Sequence, residues 1–394
     1  MTASRNFISG PWRAVLVLGV TQIITWGAIY YTPVLIVPLI AKERGWSMAF
    51  AMGGFSFGLL ATGLVSPYVG RTIDRVGGHV VMGIGSVIAA AGLSLVTLAT
   101  HPIAYMAVWV VLGIAMAANL YDSAFATLGR IFGAAARRPI TALTLAGGFA
   151  STVSWPVTHF LIEGVGWQKT YLIYAAVLLL LCAPLHAFVL PRHQAHTAPP
   201  APAEDGKAAH LPPNGAAFLL VAAAFTAYAF VPSGLAAHLL AIFNREGIDA
   251  TTVVWIGALF GPAQVGARLI EFAFGRNVHP LWVARVALTV LLCGFLMLLF
   301  AGFAVTTAAA FALMFGGANG LITITRGAVP LALFGPYGYG RLIGRLAGPF
   351  QIMQAAAPLV MAFVVERFSD PMALTLAAAF AAIALVCFVS IRRP

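Results

Sequence analysis

The chain has 394 residues, 61% of them hydrophobic and only 8% charged, and its mean hydropathy is +0.95. An ordinary soluble domain carries roughly a quarter charged residues, so this composition excludes one and specifies an integral membrane protein. The formal net charge of +11 does not point to nucleic acid, because the basic residues sit in short links between apolar runs and not on one polar face.

Apolar runs of roughly 18 or more residues, each long enough to cross a bilayer, fall near 14–40, 48–69, 79–99, 102–128, 139–162, 169–190, 215–242, 251–272, 280–303, 305–325, 345–365 and 371–391. The expected fold is therefore an all-α membrane protein with twelve transmembrane helices. Arg5 and Arg13 precede the first run in the manner of a signal peptide, but the run is too long for such a segment and lacks a small-residue cleavage site, so it reads as a retained first helix. Between the second and third runs stands a charged hairpin, Gly70-Arg71-Thr72-Ile73-Asp74-Arg75-Val76-Gly77-Gly78. So short a link makes its two helices antiparallel, and Asp74 can bond to its basic neighbours or to an adjacent helix end.

The stretch 191–214 is polar and rich in proline, with His193, His196 and His210, a composition that cannot build a core. It reads as a solvated linker between an N-terminal bundle, 1–190, and a C-terminal bundle, 215–394. Cys182, Cys293 and Cys387 lie in apolar runs without C-x-x-C spacing, so neither disulfides nor zinc is indicated. Met48 and Met52 share a helix face but read as core, and no metal site is expected.

With the N-terminus placed in the cytoplasm, only Lys42, Arg44, Lys169, Arg245 and Arg367 of the 22 basic residues fall outside. The positive-inside rule then puts both termini and the linker in the cytoplasm. The halves also repeat. At an offset of 202, Gly45 pairs with Gly247, Phe132-Gly133 with Phe334-Gly335 and Pro156 with Pro358, while Ala118-Asn119 pairs with Ala318-Asn319 at 200. Two six-helix repeats are expected from such matches.

The hairpin G-x-x-x-D-R-x-G-G after the second span resembles the loop motif between helices 2 and 3 of the major facilitator superfamily. Trp26-Gly27-x-x-Tyr30-Tyr31, Pro38, Gly45-Trp46-Ser47, Pro67-x-x-Gly70 and Gly166-Trp167-Gln168 are similar to the bacterial monocarboxylate-porter-like and oxalate/formate-antiporter-like branches. The resemblance implies a secondary transporter working by alternating access, and it makes Gly70, Arg71, Asp74, Arg75, Gly77 and Gly78 the conformational loop motif. It also implies that an arginine in the eighth helix binds a substrate carboxylate. Trp109 stands about where many members carry an arginine linked to proton coupling, and the acidic-glycine signature of animal monocarboxylate carriers is missing from the first helix.

Polar groups at membrane depth are costly, about 2.5–3.5 kcal/mol for a charge on insertion scales, and mark function. In the fourth run Asn119 and Asp122 share a face; Asp122 can carry a proton or pair with the link arginines. In the eighth, Gln264, Arg268 and Glu271 form one stripe. Arg268 suits a carboxylate, yet Ala267 to Gly275 also echoes the charged hairpin, which would place Arg268 at a cytoplasmic loop. Gln22, Trp26 and Tyr30 lie at four-residue spacing beside Tyr31, Tyr228 is the 202-offset counterpart of Trp26, and Asn319, Gln351 and Gln354 add donors and acceptors. His238 can titrate near neutral pH.

No P-loop, H-E-x-x-H or G-x-S-x-G motif occurs, so an enzyme and an ATP-driven pump are both disfavoured and no cofactor is expected. The expectation is a monomeric, multi-pass secondary transporter of the inner membrane. It would move a small organic solute, an anion such as a carboxylate, with Arg268 as anchor, first-helix aromatics as lining, and Asp122, Glu271 or His238 as proton-coupling candidates. The alternative is a proton-driven efflux pump for amphipathic or cationic compounds. The expected partners are the solute, the lipid bilayer and coupling protons.

Overall fold

A computed structural model of the chain describes residues 10–192, 211–212, 215–236 and 238–392. The linker histidines His193, His196 and His210, and the terminal Arg5, lie outside them. The described residues are helical throughout, with no strand. In chain order the helices are α1 Arg13–Thr25, which runs through a π-helical turn Trp26–Tyr31 into α2 Pro33–Arg44; α3 Met48–Val76; α4 Gly78–Leu98; α5 Pro102–Asn119; α6 Tyr121–Phe132; α7 Arg137–Gly147; and α8 Ala150–Val177, continued by π-helical turns at Leu178–Cys182 and Leu185–Val189. The second half holds α9 Ala216–Leu235, α10 Leu239–Arg245, α11 Ala250–Ala258, α12 Phe260–Phe274, α13 Pro280–Ala301, α14 Val305–Phe334, α15 Tyr339–Arg367 and α16 Asp370–Ser390.

Ten segments among the described residues are long and apolar enough to cross a membrane. One of them, Pro102–Val189, is 88 residues long, several bilayer thicknesses at 1.5 Å per residue. It is broken by extended backbone at Leu120 and by positive φ at Gly133 and Gly166. The paired glycines of the sequence repeat share a positive φ: Gly45 and Gly247 have φ of 66° and 99°, and Gly133 and Gly335 have 56° and 78°. Only glycine takes these values cheaply. The charged hairpin differs from expectation. Residues 70–76 continue α3, so the whole turn is Gly77, at φ 92°.

The described chain forms two compact units, one from residues 1–199 with 336–348 and one from 200–335 with 349–394. In the first unit, Gly113 on α5 meets the backbone of Gly58 on α3 so closely that any Cβ would collide, the small-residue contact that membrane helices use in place of a hydrophobic driving force. Trp109, fully buried, lies over Gly54 and packs edge-on to Phe55 and Tyr105 at 5.7 and 6.1 Å. At the end opposite Gly77, Arg44 donates to the carbonyls of Ala99 and Val96 at 2.5 and 2.8 Å, a cation on the carbonyl end of α4. Beside it Glu43 accepts from the Trp167 indole at 2.6 Å and from Gln168 at 3.0 Å, which gives the Gly166-Trp167-Gln168 motif a structural role.

In the second unit, Gly320 of α14 lies against the Gln264 carbonyl of α12, where a Cβ would come within 2.5 Å. Arg285 repeats the Arg44 arrangement, donating to the carbonyls of Phe388 and Ile391 at 2.9 Å each at the end of α16. Arg245 and Asp370 form a bidentate pair at 2.8 and 2.7 Å. Replacing half-buried Arg44 by Met should lower the unfolding free energy by about 1–2 kcal/mol, the scale of a charge-assisted bond at a helix end. Thermal unfolding of purified protein in detergent reads this as a lowered Tm.

Candidate functional site

The π turn Trp26–Tyr31 decides which first-helix side chains meet. Widening the helix by a residue per turn replaces the regular i to i−4 bonds by i to i−5 bonds, so the Gly27 carbonyl accepts from the Thr32 N–H at 2.9 Å and also from the Thr32 hydroxyl at 2.8 Å. Trp26, Tyr30 and Tyr31 thereby form one cluster, with ring centroids 4.7 Å apart for Trp26–Tyr30, 5.9 Å for Trp26–Tyr31 and 5.4 Å for Tyr30–Tyr31. Three further rings join from other helices: Tyr121 lies 4.9 Å from Trp26, Phe55 5.4 Å from Tyr30 and Trp155 6.2 Å from Tyr31. The sequence spacing found the first three rings but not their partners, which come from α3, α6 and α8.

Behind the aromatic cluster runs a buried chain of hydrogen bonds. Trp26 donates its indole N–H to Gln22 Oε1 at 3.0 Å, and Gln22 Nε2 donates to the Asn119 carbonyl at 2.6 Å. Asn119 Oδ1 accepts from the Ser86 hydroxyl at 3.1 Å, and Ser86 Oγ lies 3.0 Å from His186 Nδ1. His186 Nε2 in turn lies 2.9 Å from Thr21 Oγ1. Gln22, Ser86, Asn119, His186 and Thr21 are all fully buried. With Ser86 donating to Asn119, His186 carries its proton on Nδ1, toward Ser86 and the Met82 carbonyl at 3.2 Å, and accepts from Thr21 on Nε2. The single signal for His186 in the sequence was a polar residue inside an otherwise apolar run.

Asn119 and Asp122 do not share a regular helical face, because the helix breaks at Leu120 between them. Ser123 spans the break by donating to the Ala117 carbonyl at 2.6 Å. Asp122 falls in the first turn of α6, where a carboxylate suits the positive end of the helix dipole, and its charge acts on Tyr339.

In the second unit, Tyr228 donates to Asn319 Oδ1 at 2.5 Å. Arg268 is interior to α12 and only 3% exposed, with Nε directed at the Gly320 carbonyl at 3.4 Å; it does not lie in a loop. Its charge and that of Arg326 both act on the Tyr228 phenol. Arg326 was assigned by sequence to a cytoplasmic link, but α14 continues to Phe334 and places it inside the helix. Its guanidinium stacks 3.7 Å from the Phe350 ring centroid. Seven residues separate Asn319 from Arg326, two helical turns on one face, a spacing the sequence did display. Gln264 lies one turn before Arg268, and Gln351, 5% exposed, has an oxygen without a hydrogen-bond partner. The Gln354 carbonyl accepts from Ser233 at 2.7 Å. Glu271 is buried against Gly275 near the end of α12. His238 stands apart at the start of α10, where Arg245, Glu366 and Asp370 are its charged neighbours.

The hairpin motif is built around Asp74. Its Oδ1 accepts from the Gly340 N–H at 2.9 Å and Oδ2 from the Arg341 N–H at 2.7 Å, so the carboxylate caps the first turn of α15. Arg130 donates to the carbonyls of Asp74 and Arg75. Gly340, Gly344 and Gly348 press against Gly70, Ser66 and Gly63 of α3, a small-residue stripe at four-residue spacing. Arg71, Arg75, Arg130, Arg341 and Tyr337 line a cavity of about 500 Å³ beside Asp74.

A many-helix apolar chain with buried arginines and a carboxylate-capped hairpin defines a polytopic membrane protein. Residues 17–325 match the family model described as Major Facilitator Superfamily, and the chain belongs to that family of transporters. Three solved structures share its fold. The human organic anion transporter MFSD10 (TETRAN) is 17% identical with a TM-score of 0.72, covering 96% of this chain and 99% of that one. The proton:xylose symporter XylE bound to 6-bromo-6-deoxy-D-glucose is 10% identical with a TM-score of 0.71, covering 95% and 94%. FucP in the outward conformation is 14% identical with a TM-score of 0.71, covering 95% and 97%. No curated protein sequence matches the chain significantly.

Two outcomes follow. Asp74→Ala leaves two backbone N–H groups without their acceptor and should lower unfolding free energy by about 1–3 kcal/mol, with Asp74→Asn recovering part, both read by thermal unfolding in detergent. His186→Leu removes one hydrogen-bond partner each from buried Thr21 and Ser86 and should cost about 1 kcal/mol, seen as a lowered Tm by the same measurement.

Proposed function

We propose that this family member is a secondary transporter of a small organic anion carrying a carboxylate. The observation that carries the reading is the pair Arg268 and Arg326, both embedded in long apolar helices and both acting on the Tyr228 hydroxyl, itself bonded to Asn319. Charges at membrane depth are expensive and are retained for a ligand or a coupling ion. A guanidinium fork matches a carboxylate by two parallel bonds. Resemblance at 17% identity fixes the fold alone, so the substrate reading rests on these side chains.

The twelve-span, two-repeat arrangement, with 1–190 and 215–394 as its bundles and 191–214 as linker, is supported by the positive φ shared by Gly45 with Gly247 and by Gly133 with Gly335. The excess of basic residues at the Gly77 end supports a cytoplasmic placement of that end, in a cell inner membrane. We assign solute contact to Gln22, Trp26, Tyr30 and Tyr31 in the first unit and to Tyr228, Gln264, Arg268, Asn319, Arg326, Gln351 and Gln354 in the second. Asp122, Glu271 and His238 remain the candidates for carrying a coupled proton, and the protein is taken as a monomer.

The test is uptake of radiolabelled mono- and dicarboxylates into proteoliposomes. Arg268→Ala and Arg326→Ala should each lower kcat/KM at least tenfold, about 1.4 kcal/mol, with unfolding temperature as the folding control. Wild-type rates in both variants would remove the anion anchor. The cluster of Trp26, Tyr30, Tyr31 and Tyr121 supports the second reading, efflux of a cation, since ring faces attract cations. Stabilisation of the folded protein by cationic amphiphiles and not by carboxylates would select it.

A further inference from the structure

A groove of about 510 Å³ lies on the first unit, between α4 and the π-helical end of the segment that follows α8. Its walls are Val80, Ile84 and Val87 on one side and Leu179, Ala183 and Phe188 on the other; its floor is Gly83, beside Ala187. Two antiparallel strands of wall place His79 and Arg192 together at one end and Val87 and Leu179 at the other. Pro184 removes a backbone donor, and the π turns on either side of it widen the helix. The walls are open to the side, with Phe188 78% and Ile84 57% exposed.

The polar end carries one permanent cation, Arg192. None of the groove's residues is acidic. His79 lies within electrostatic reach of both Arg192 and Arg130, and α4 begins at Gly78, so the positive end of its dipole points the same way. From His79 to Val87 the apolar wall runs roughly 12 Å at 1.5 Å per residue. A free phosphate would have no use for that wall, and a neutral lipid would have none for the cation.

We propose that this groove binds an anionic phospholipid of the surrounding bilayer, one acyl chain between α4 and the π-helical segment, the phosphate between Arg192 and His79. Charge complementarity argues for the lipid, since basic sites between membrane helices select anionic headgroups. Placement of this end in the cytoplasmic leaflet rests on the topology proposed above. Binding in detergent has no sidedness and reads no transport, so failure of the lipid site leaves the transport reading standing, and the reverse.

The experiment is thermal unfolding of the purified full chain in dodecyl maltoside, titrated with dioleoyl phosphatidylglycerol, dioleoyl phosphatidylcholine or glycerol 1-phosphate. Phosphatidylglycerol should raise Tm, while the other two leave it unchanged. Arg192→Gln should weaken the apparent phosphatidylglycerol affinity about fivefold, the loss expected for one cation near a lipid phosphate. His79→Leu, which removes a ring N–H from the phosphate, should weaken it less. Phe188→Ala should weaken it with Arg192 intact. Lipid-free Tm values near wild type establish that the variants fold. Equal shifts from phosphatidylcholine, a full shift from glycerol 1-phosphate, or unchanged affinity in Arg192→Gln would each overturn the proposal.

Discussion

Everything in this fold answers to one constraint: a backbone group released from helical bonding inside a bilayer has no water to turn to, and a side chain must take it up. The chain breaks its helices often, and several of the breaks have a named substitute. Ser123 serves Ala117 at the Leu120 break, and Arg44 and Arg285 serve the carbonyl ends of α4 and α16. Asp74 does the same for the amide end of α15. Arg44, Arg285 and Asp74 are thus devices for ending helices.

The same constraint explains what the sequence showed and what it hid. Apolar length exposed the helices, and the positive-φ glycines at 45, 77, 133, 247 and 335 stand where the apolar runs meet their links. Hydropathy failed where a charge belongs to a helix. It ended the second run at 69, although α3 continues through Arg71, Asp74 and Arg75 to Val76, and it ended the tenth run at 325, one residue before Arg326. A window that treats each charge as a terminus cannot distinguish an arginine in a loop from one held over Phe350.

The candidate site was legible in proportion to how local its contacts are. Trp26, Gln22 and Tyr30 follow a spacing within one helix and were found. His186 joins that helix only through Thr21, Ser86 and Asn119, across positions up to 165 residues apart, and a single sequence carries no trace of such a pairing. The π turn was equally hidden, because inserting one residue per turn alters which rings meet without altering composition.

The two units solve the cost of buried polarity differently, and this separates their chemistry. In the first, the network from Trp26 to His186 is neutral and closed on itself, so it fixes the shape of an aromatic surface and adds no net charge. In the second, two guanidinium groups are retained near one phenol and one amide. Arg268 directs its Nε at the Gly320 carbonyl and Arg326 stacks over the Phe350 ring, so each guanidinium is stabilised where it lies within its own unit.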